Sequence, residues 1–311
     1  MDKLSSEESV IFTVDAKGRA PFATVQAAID FADQFHERLV KIYILAGCYH
    51  EKVRLYQNHI QLIGVGDVEI TNDLFASQKA SDGTELGTFR TSTLFINGQD
   101  MLLKNLTISN SAGTHGHEVG QAIAVYCEGT NINFMNCRLR GHQDTLCLGP
   151  LPSLQKNGTA FVTEDMQDDF SVQKYGFYDC TIEGTVDFIF GGGQATFSNC
   201  QLIALPRENL GEVDYLTAAS SNELSAGFTF SYCAVKAIGN QTYYLGRPWR
   251  SQAKTNFNRC LFDKNLHADG WNDWQRSADQ QTVSYTEHNC YYETKEIHRA
   301  DWIDFNRMEG K

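Results

Sequence analysis

One short phrase recurs along most of the chain and constrains the fold more than any other feature. An aromatic or apolar residue is followed by two positions and then by Cys or Leu, after which an alternating strand pattern begins. Successive phrases are 31, 43, 20, 33 and 27 residues apart, so the shortest gap suggests one coil and the excess suggests loop insertions. This spacing is typical of a solenoid and predicts a parallel β-helix. The phrases occupy residues 103–106, 134–137, 177–180, 197–200, 230–233 and 257–260.

The cysteines follow this repeat. The chain has nine of them, and five fall on the last position of the phrase. In a solenoid the same position stacks on itself at each turn, so these five are predicted to form an inward-facing ladder of small apolar side chains. An odd number cannot all pair within one chain, and no C-x-x-C pair is present. The ladder is therefore favoured over disulfides or metal binding.

The N-terminal part differs from the repeats. Residues 10–14 form a short apolar run, residues 22–32 carry apolar side chains at helical spacing, and residues 40–45 favour a strand that ends at Gly47. This order predicts a strand, a short helix and a second strand. No G-x-G-x-x-G follows the first strand, so a nucleotide-binding fold is poorly supported.

The formal net charge of −12 restricts the partners. Nucleic-acid binding needs a basic stripe, so neither nucleic acid nor an anionic membrane is expected as a partner. A cleft for a polyanionic substrate would have to be locally neutral or basic. No apolar stretch is long enough to span a bilayer, and residues 1–8 lack the apolar region of a signal peptide. We therefore expect a cytoplasmic protein, or a secreted one whose signal peptide is absent from this sequence.

The longest insertion covers residues 149–174. It contains the acidic residues Glu164, Asp165, Asp168 and Asp169, but their spacing does not fit an EF-hand calcium loop. A solvated loop flanking a cleft is favoured over a calcium site. His115 and His117 could ligate a metal, yet no second ligand cluster accompanies them, so an ordinary loop is preferred and no metal is expected.

Two coils carry matching phrases that end in aspartate. Each runs Cys, three residues, Gly, two residues, Asp, which places Asp144 seven residues after Cys137 and Asp187 seven residues after Cys180. In neighbouring coils of the same register, the two backbones would lie about 4.8 Å apart. At so short a distance, ionising both carboxyl groups costs considerable free energy. One therefore serves as an acid while the other stays a base or nucleophile. The alternative, that both aspartates merely cap turns, has equal weight on spacing alone.

Further residues favour the catalytic interpretation. Gln143 adjoins Asp144, and its amide and that of Gln121 could stabilise an oxyanion. Arg247 could bind a carboxylate through two hydrogen bonds and hold it ionised. Trp249 and Trp271 could stack on sugar rings, although single tryptophans are more often core residues. No G-x-S-x-G is present, so a serine esterase of the α/β-hydrolase type is not supported.

These motifs resemble the signature blocks of the pectin methylesterase (pectinesterase) family. The blocks are Gly141-His142-Gln143-Asp144-Thr145-Leu146, Gly184-Thr185-Val186-Asp187-Phe188-Ile189-Phe190-Gly191, Leu245-Gly246-Arg247-Pro248-Trp249 and Gly270-Trp271-Asn272-Asp273-Trp274. The likeness implies an all-β, single-domain, right-handed parallel β-helix over residues 1–311, with a short N-terminal helix and long loops flanking a substrate groove. Residues 217–220 look closer to bacterial members than to plant ones.

The resemblance also implies an activity and a set of roles. The enzyme would be a monomer without a metal or organic cofactor, and would hydrolyse methyl esters in methyl-esterified homogalacturonan or oligogalacturonides. Asp187 would be the nucleophile and Asp144 the general acid and base, while Arg247 would orient Asp187. Gln121 and Gln143 would form the oxyanion site. The residues expected to line the sugar groove are Trp249, Trp271 and Phe188.

The chain departs from the family pattern beside Asp144. His142 stands where the family usually has Tyr, and Cys147 stands where it has an aromatic residue. Two alternatives remain open on the sequence: an esterase or thioesterase that uses the same two aspartates on another acyl substrate, and a non-catalytic carbohydrate-binding β-helix. A pectate lyase is disfavoured, because such lyases need an acidic calcium-binding cluster in the groove.

Overall fold

The computed structural model describes residues 9–113, 119–207, 209, 211–294 and 296–307. Residues 1–8 and the histidines at positions 115 and 117 lie outside this range, so the expectations about them stay predictions. No helix in the described ranges is long and apolar enough to cross a membrane.

Strands make up almost all of the regular structure. One α-helix, α1 (Val25–Ala32), and the short 3-10 turns Asp33–Phe35, Thr88–Arg90 and Ser277–Gln281 accompany them in the described residues. The strands are β1 (Val10–Val14), β2 (Val40–His50), β3 (Val53–Leu55), β4 (Ile60–Asn72), β5 (Leu94–Ile96), β6 (Gln99–Lys104), β7 (Thr107–Asn110), β8 (Val125–Cys127), β9 (Thr130–Met135), β10 (Arg138–Arg140), β11 (Leu146–Leu148), β12 (Lys174–Tyr178), β13 (Thr181–Gly184), β14 (Ile189–Gly191), β15 (Gln194–Ser198), β16 (Gln201–Ala204), β17 (Val213–Ala219), β18 (Phe228–Ser231), β19 (Ala234–Ala237), β20 (Thr242–Gly246), β21 (Lys254–Asn258), β22 (Leu261–Phe262), β23 (Ser284–Tyr292) and β24 (Asp304–Arg307).

The strands repeat in groups of three. Strands β9, β10 and β11 form one coil, β12, β13 and β14 the next, and each strand pairs in parallel with its counterpart one coil away. The third strand of each coil belongs to a seven-stranded sheet, and the first two belong to a 17-stranded sheet. The predicted parallel β-helix is confirmed.

Two ladders of side chains fill the interior of the β-helix. The phenylalanines that open the phrase stack face to face with ring centroids 4.4–4.8 Å apart, from Phe134 to Phe257. The cysteines that close it are buried and unpaired, as predicted, and Cys290 extends their ladder by one further coil. The residue before each of these cysteines has a φ of 50–57°. Asn and Asp tolerate this left-handed conformation best, which explains why they often precede Cys in the phrase.

The N-terminal helix closes one end of the interior. Thr24 caps α1, because its hydroxyl accepts a hydrogen bond from the Ala27 backbone N–H at 3.2 Å. The helix buries one apolar face, including Ala28 and Ile29, against the first coil. The predicted strand–helix–strand order is confirmed, and β2 continues past Gly47 to His50 after a register shift.

Two ion pairs anchor the long insertion to the β-helix. No helix or strand interrupts residues 149–173. Glu164 is buried and bonds Lys52 Nζ at 2.5 Å and Arg54 Nε at 2.9 Å. Within the described residues, no group of three or more His, Cys, Asp or Glu side chains is arranged to hold a metal. The expectation that the insertion holds no calcium stays a prediction, and the loop lies beside the pocket described below.

Candidate active site

The register of the coils places Asp144 and Asp187 one above the other. Arg138 pairs with Thr181 before the turn, and Leu146 pairs with Ile189 after it, so the offset is 43 residues on both sides. Asp144 and Asp187 share this offset, and the Asp144 N–H donates to the carbonyl of Val186 at 3.0 Å. The predicted stacking of the two aspartates in neighbouring coils is confirmed.

Local backbone geometry explains the shared phrase. Both aspartates have left-handed φ values, 68° for Asp144 and 51° for Asp187, which Asp accepts more readily than most residues do. The preceding glycines are required for space. A Cβ at Gly184 would lie 2.3 Å from the Cβ of Phe188, and one at Gly141 would lie 2.7 Å from the Oγ1 of Thr145. The turns thus direct two carboxylates to the same side of neighbouring coils.

The two carboxyl groups differ in electrostatic environment. Burial raises the pKa of Asp144 well above its ordinary value, and the neighbouring Asp187 raises it further. Burial also raises the pKa of Asp187, but its hydrogen bonds to Arg247 and the positive charge of that residue oppose the rise. The environment therefore favours the proton more strongly on Asp144 than on Asp187, which Arg247 stabilises in the ionised form.

Arg247 binds Asp187 in a two-point, fork-like pair. Its Nε donates to Oδ1 and its Nη2 donates to Oδ2, both at 2.8 Å. The guanidinium lies between two aromatic rings, with Cζ 3.9 Å from the ring centroids of both Tyr215 and Trp274. This arrangement fixes the plane of the guanidinium and therefore the orientation of the Asp187 carboxylate.

A pocket of about 400 Å³ opens over the two aspartates. Gln121 and Gln143 line it, and both have backbones held in place: the Gln121 carbonyl accepts from Ala76 and the Gln143 carbonyl from Ala122. The remaining lining residues come from several coils and from the long insertion. They are Gly87, Thr88, Phe89, Gln155, Phe161, Val162, Phe190, Ala218, Arg247, Trp249 and Trp274.

Trp249 forms one wall of this pocket, as expected. It is half-buried and packs against Phe89, Phe161 and Phe190, with ring centroids 5.7–6.5 Å apart. An aromatic wall facing a polar floor of carboxylates and amides suits a sugar ring, which has one apolar face and a polar edge.

Two residues expected in the groove lie in the core instead. Phe188 is fully buried in the interior apolar cluster, and Phe190, two residues later, lines the pocket. Trp271 is 4% exposed; it stacks on Tyr285 at 4.1 Å and donates from Nε1 to Glu287 at 2.8 Å. Neither Phe188 nor Trp271 lines the pocket over the aspartates, contrary to the expectation that both line the sugar groove.

Sequence reasoning also missed two residues around Arg247. Trp274 was visible in the block after Gly270, but nothing in the block shows which of its two tryptophans faces the pocket. Tyr215 stands outside every recognised motif.

The two departures from the family pattern lie in different places. Cys147 is buried beside Tyr126 and Phe190 rather than facing the pocket. His142 lines a second pocket, of about 550 Å³, which shares Gln143 with the first.

Carboxylates paired in register on a parallel β-helix define a class of aspartate-based hydrolase candidates, and comparison with known proteins identifies the family. The family model described as Pectinesterase matches residues 11–150 and 161–311. The chain therefore belongs to the pectinesterase family and is a carboxylic ester hydrolase. Only the stretch 151–160, inside the long insertion, interrupts the match.

Individual relatives agree with this assignment. Pectinesterase QRT1 of Arabidopsis thaliana is 31% identical over 287 residues, which is 90% of this chain and 69% of that protein. Probable pectinesterase/pectinesterase inhibitor 12 of the same plant is 29% identical, and the chain spans 52% of its length. Pectin methylesterase from carrot superposes with a TM-score of 0.77 at 24% identity, covering 96% of this chain and 88% of that one. A pectin methylesterase in complex with a hexasaccharide gives a TM-score of 0.75 at 25% identity, covering 93% and 92%.

Proposed function

We propose that this protein hydrolyses the methyl esters of galacturonate residues in pectin or methylated oligogalacturonides and releases methanol. The observation that carries the proposal is the asymmetric carboxyl pair: Asp187 is held ionised by Arg247, and Asp144 beside it favours the protonated form. The pectinesterase relatives and the hexasaccharide complex of a structural neighbour support the choice of substrate.

In the first half of the reaction, the Asp187 carboxylate attacks the ester carbonyl carbon. The carbonyl oxygen becomes an oxyanion, which the side-chain amides of Gln121 and Gln143 stabilise. When the tetrahedral intermediate collapses, the bond to the methoxy oxygen breaks, and Asp144 gives its proton to that oxygen. Methanol leaves, and the galacturonate acyl group is bound to Asp187 as an anhydride.

In the second half, Asp144 acts as a base. Its carboxylate takes a proton from water while the water oxygen attacks the acyl carbon of the anhydride. The bond to Asp187 breaks, which returns Asp187 to the carboxylate that Arg247 binds and releases a galacturonate with a free carboxyl group. Asp144 is again protonated. Trp249, which forms one wall of the pocket, stacks on the sugar ring in both halves of the reaction.

The test is methanol release by Asp144→Ala and Asp187→Ala. Both substitutions are expected to abolish it while circular dichroism and the melting temperature show an intact fold. Asp179→Ala is the matched control, because Asp179 has a similar left-handed φ of 55° in a turn between strands but lies outside the pocket. Methanol release near the wild-type rate by either active-site variant contradicts the mechanism.

The same measurement on polymeric pectin and on short methylated oligogalacturonides distinguishes the preferred length of substrate. We further propose that the chain forms a single domain, because the family match continues on both sides of the insertion. That it acts as a monomer rests only on the resemblance to the family. Right-handed winding of the coils follows the general handedness of parallel crossovers.

A further inference from the structure

Two surface turns of the chain share one structure, although one is built on Asp and the other on Asn. In the first, Thr84 donates to Asp82 Oδ1 from its backbone N–H at 2.9 Å and from its hydroxyl at 2.7 Å. In the second, Thr159 donates to Asn157 Oδ1 from the same two groups, at 3.0 and 2.7 Å. The glycine between the two residues has a φ of 82° in the first turn and 81° in the second. This turn therefore accepts either a carboxylate or a carboxamide.

The second turn contains an Asn-Gly pair that water reaches. Asn157, Gly158 and Thr159 are all exposed. The hydrogen bonds from Thr159 fold the Asn157 side chain back towards the following peptide, and glycine has no side chain that hinders attack by its backbone nitrogen. The same two donors stabilise the negative charge that develops on Oδ1 when the carboxamide carbon is attacked.

One hydrogen bond opposes this attack. The Gly158 N–H donates to the Gln155 carbonyl at 3.0 Å, so the turn must open before the nitrogen is free to react. Residues 151–160 form neither a helix nor a strand, and residues 156–160 are exposed. Exposed hydrogen bonds in loops open at a small cost in free energy, so this bond slows the reaction without preventing it.

The other Asn-Gly pair of the chain, Asn97-Gly98, is protected. Asn97 is fully buried, and all four hydrogen-bonding positions of its carboxamide are filled. Its Nδ2 donates to the carbonyls of Glu128 at 2.8 Å and Asp168 at 2.9 Å, while Oδ1 accepts from the backbone N–H groups of Gln167 at 2.7 Å and Asp168 at 2.9 Å. The same dipeptide therefore occurs once exposed and once locked in place, which separates the effect of structure from that of sequence.

We propose that Asn157 is a modification site, at which spontaneous deamidation replaces a neutral carboxamide by a carboxylate at the edge of the active-site pocket. The Gly158 nitrogen loses its proton and forms a bond to Asn157 Cγ. The bond from Cγ to Nδ2 breaks, ammonia leaves with the proton, and a succinimide ring remains. Water then opens the ring at either carbonyl, which gives aspartate or isoaspartate, and nothing is oxidised or reduced.

The aspartate product retains the turn and carries a charge. Hydrogen bonds from Thr84 hold the pKa of Asp82 below its ordinary value, and the equivalent bonds would act in the same way on an aspartate at position 157. Asn157 lines a hollow of about 300 Å³ together with Arg250 and Trp249, and Trp249 also lines the pocket over the aspartates. Deamidation to aspartate therefore adds one negative charge beside that pocket while the loop keeps its structure.

The test is peptide mapping of the folded wild-type protein during incubation at about pH 8 and about 37 °C, where base removes the proton of the attacking N–H. Tryptic digestion gives the peptides 91–104 and 157–174, each of which contains one asparagine. Mass spectrometry should show a gain of about 1 Da in peptide 157–174 at least about 10-fold faster than in peptide 91–104. Equal rates in the two peptides, or no gain in peptide 157–174, overturn the inference.

A denatured control ties this result to the structure. In about 6 M guanidinium chloride, with unfolding verified by circular dichroism, both Asn-Gly pairs are exposed and the two rates should approach each other. A 10-fold ratio that persists in the unfolded chain would assign the difference to the flanking sequence and overturn the structural argument.

Two variants identify the product. Asn157→Gln should lack the more acidic species that anion-exchange chromatography separates from aged wild-type protein, and Asn157→Asp should elute with that species. Asn157→Asp should also melt within about 1 °C of the wild type, because Asp82 occupies the same turn. A larger loss of melting temperature would contradict the retention of the turn. None of these readouts depends on methanol release, so they test the modification independently of the esterase proposal.

Discussion

Replacing Arg247 tests the central electrostatic feature of the site. Arg247→Lys keeps the positive charge but can offer Asp187 only a point contact in place of two parallel hydrogen bonds of 2.8 Å. It also removes the planar group that lies between Tyr215 and Trp274. Arg247→Ala removes the charge altogether and leaves Asp187 buried without its partner.

The expected magnitudes follow from these contacts. A hydrogen bond to a charged group contributes about 2 kcal/mol, and about 1.4 kcal/mol changes a rate tenfold, so Arg247→Lys should lower kcat/KM by about 30-fold. Removing one partner of a buried ion pair costs about 4 kcal/mol, which corresponds to about 1000-fold for Arg247→Ala. No reduction for solvent screening is needed, because the side chains are only 15% and 10% exposed.

The pH dependence of kcat/KM gives the sharper readout. Asp187 must be ionised to attack, and Arg247 opposes the rise in its pKa that burial causes. Without Arg247 the pKa of Asp187 rises, so the acid limb of the profile should move to higher pH in Arg247→Ala, and to a smaller extent in Arg247→Lys. Arg276→Lys is the control, since Arg276 also approaches Trp274 but bonds Asp279. An acid limb at the same pH in the wild type and in Arg247→Ala would refute the reasoning.

Three other predictions concern stability and sugar binding. Because burial raises the folded-state pKa of Asp144 above its unfolded value, its contribution to stability is complete below the unfolded pKa and is lost as pH rises through the folded pKa. Asp144→Asn should therefore gain melting temperature over the wild type increasingly as the pH rises above about 4, the pKa of an unfolded Asp, by about 1.5 °C for each kcal/mol relieved. A difference in melting temperature that does not change with pH speaks against this prediction. Trp271→Phe should lower the melting temperature, because it leaves buried Glu287 without one hydrogen bond, but should hardly change KM. Trp249→Ala should raise KM about 10-fold, because it removes the surface on which the sugar stacks. If Trp271→Phe raised KM and Trp249→Ala did not, Trp271 rather than Trp249 would line the sugar groove.

The coil register was predictable because a solenoid repeats one local structure. Each position meets its equivalent in the next coil, so the equal offset of Asp144 and Asp187 from their ladder cysteines sufficed to place them together. The interior ladder of cysteines was predictable for the same reason. Cys290 was not recognised as part of the repeat, because Glu287 stands where the other coils have an aromatic or apolar residue.

The aromatic walls were not predictable in this way. Phe188 and Phe190 lie two residues apart, and strand alternation alone would put both on one face. Phe188 precedes β14 (Ile189–Gly191) and packs in the interior cluster together with Ile189, so the strand alternation that brings Phe190 to the pocket starts only after Phe188. Trp271 and Trp274 also differ in position, since Trp271 packs in the core and Trp274 lines the pocket. The path of their loop decides which ring packs inward.

The sequence by itself determined the parallel β-helix, the family and the pairing of the two aspartates, since each depends on spacing within a repeated unit. Only the tertiary structure decided what surrounds that pair. Tyr215 and Trp274 reach Arg247 from distant parts of the chain, and Lys156 reaches Trp274 from the long insertion. Such contacts depend on how loops of unequal length fold back over the coils, and no repeat in the sequence encodes those paths.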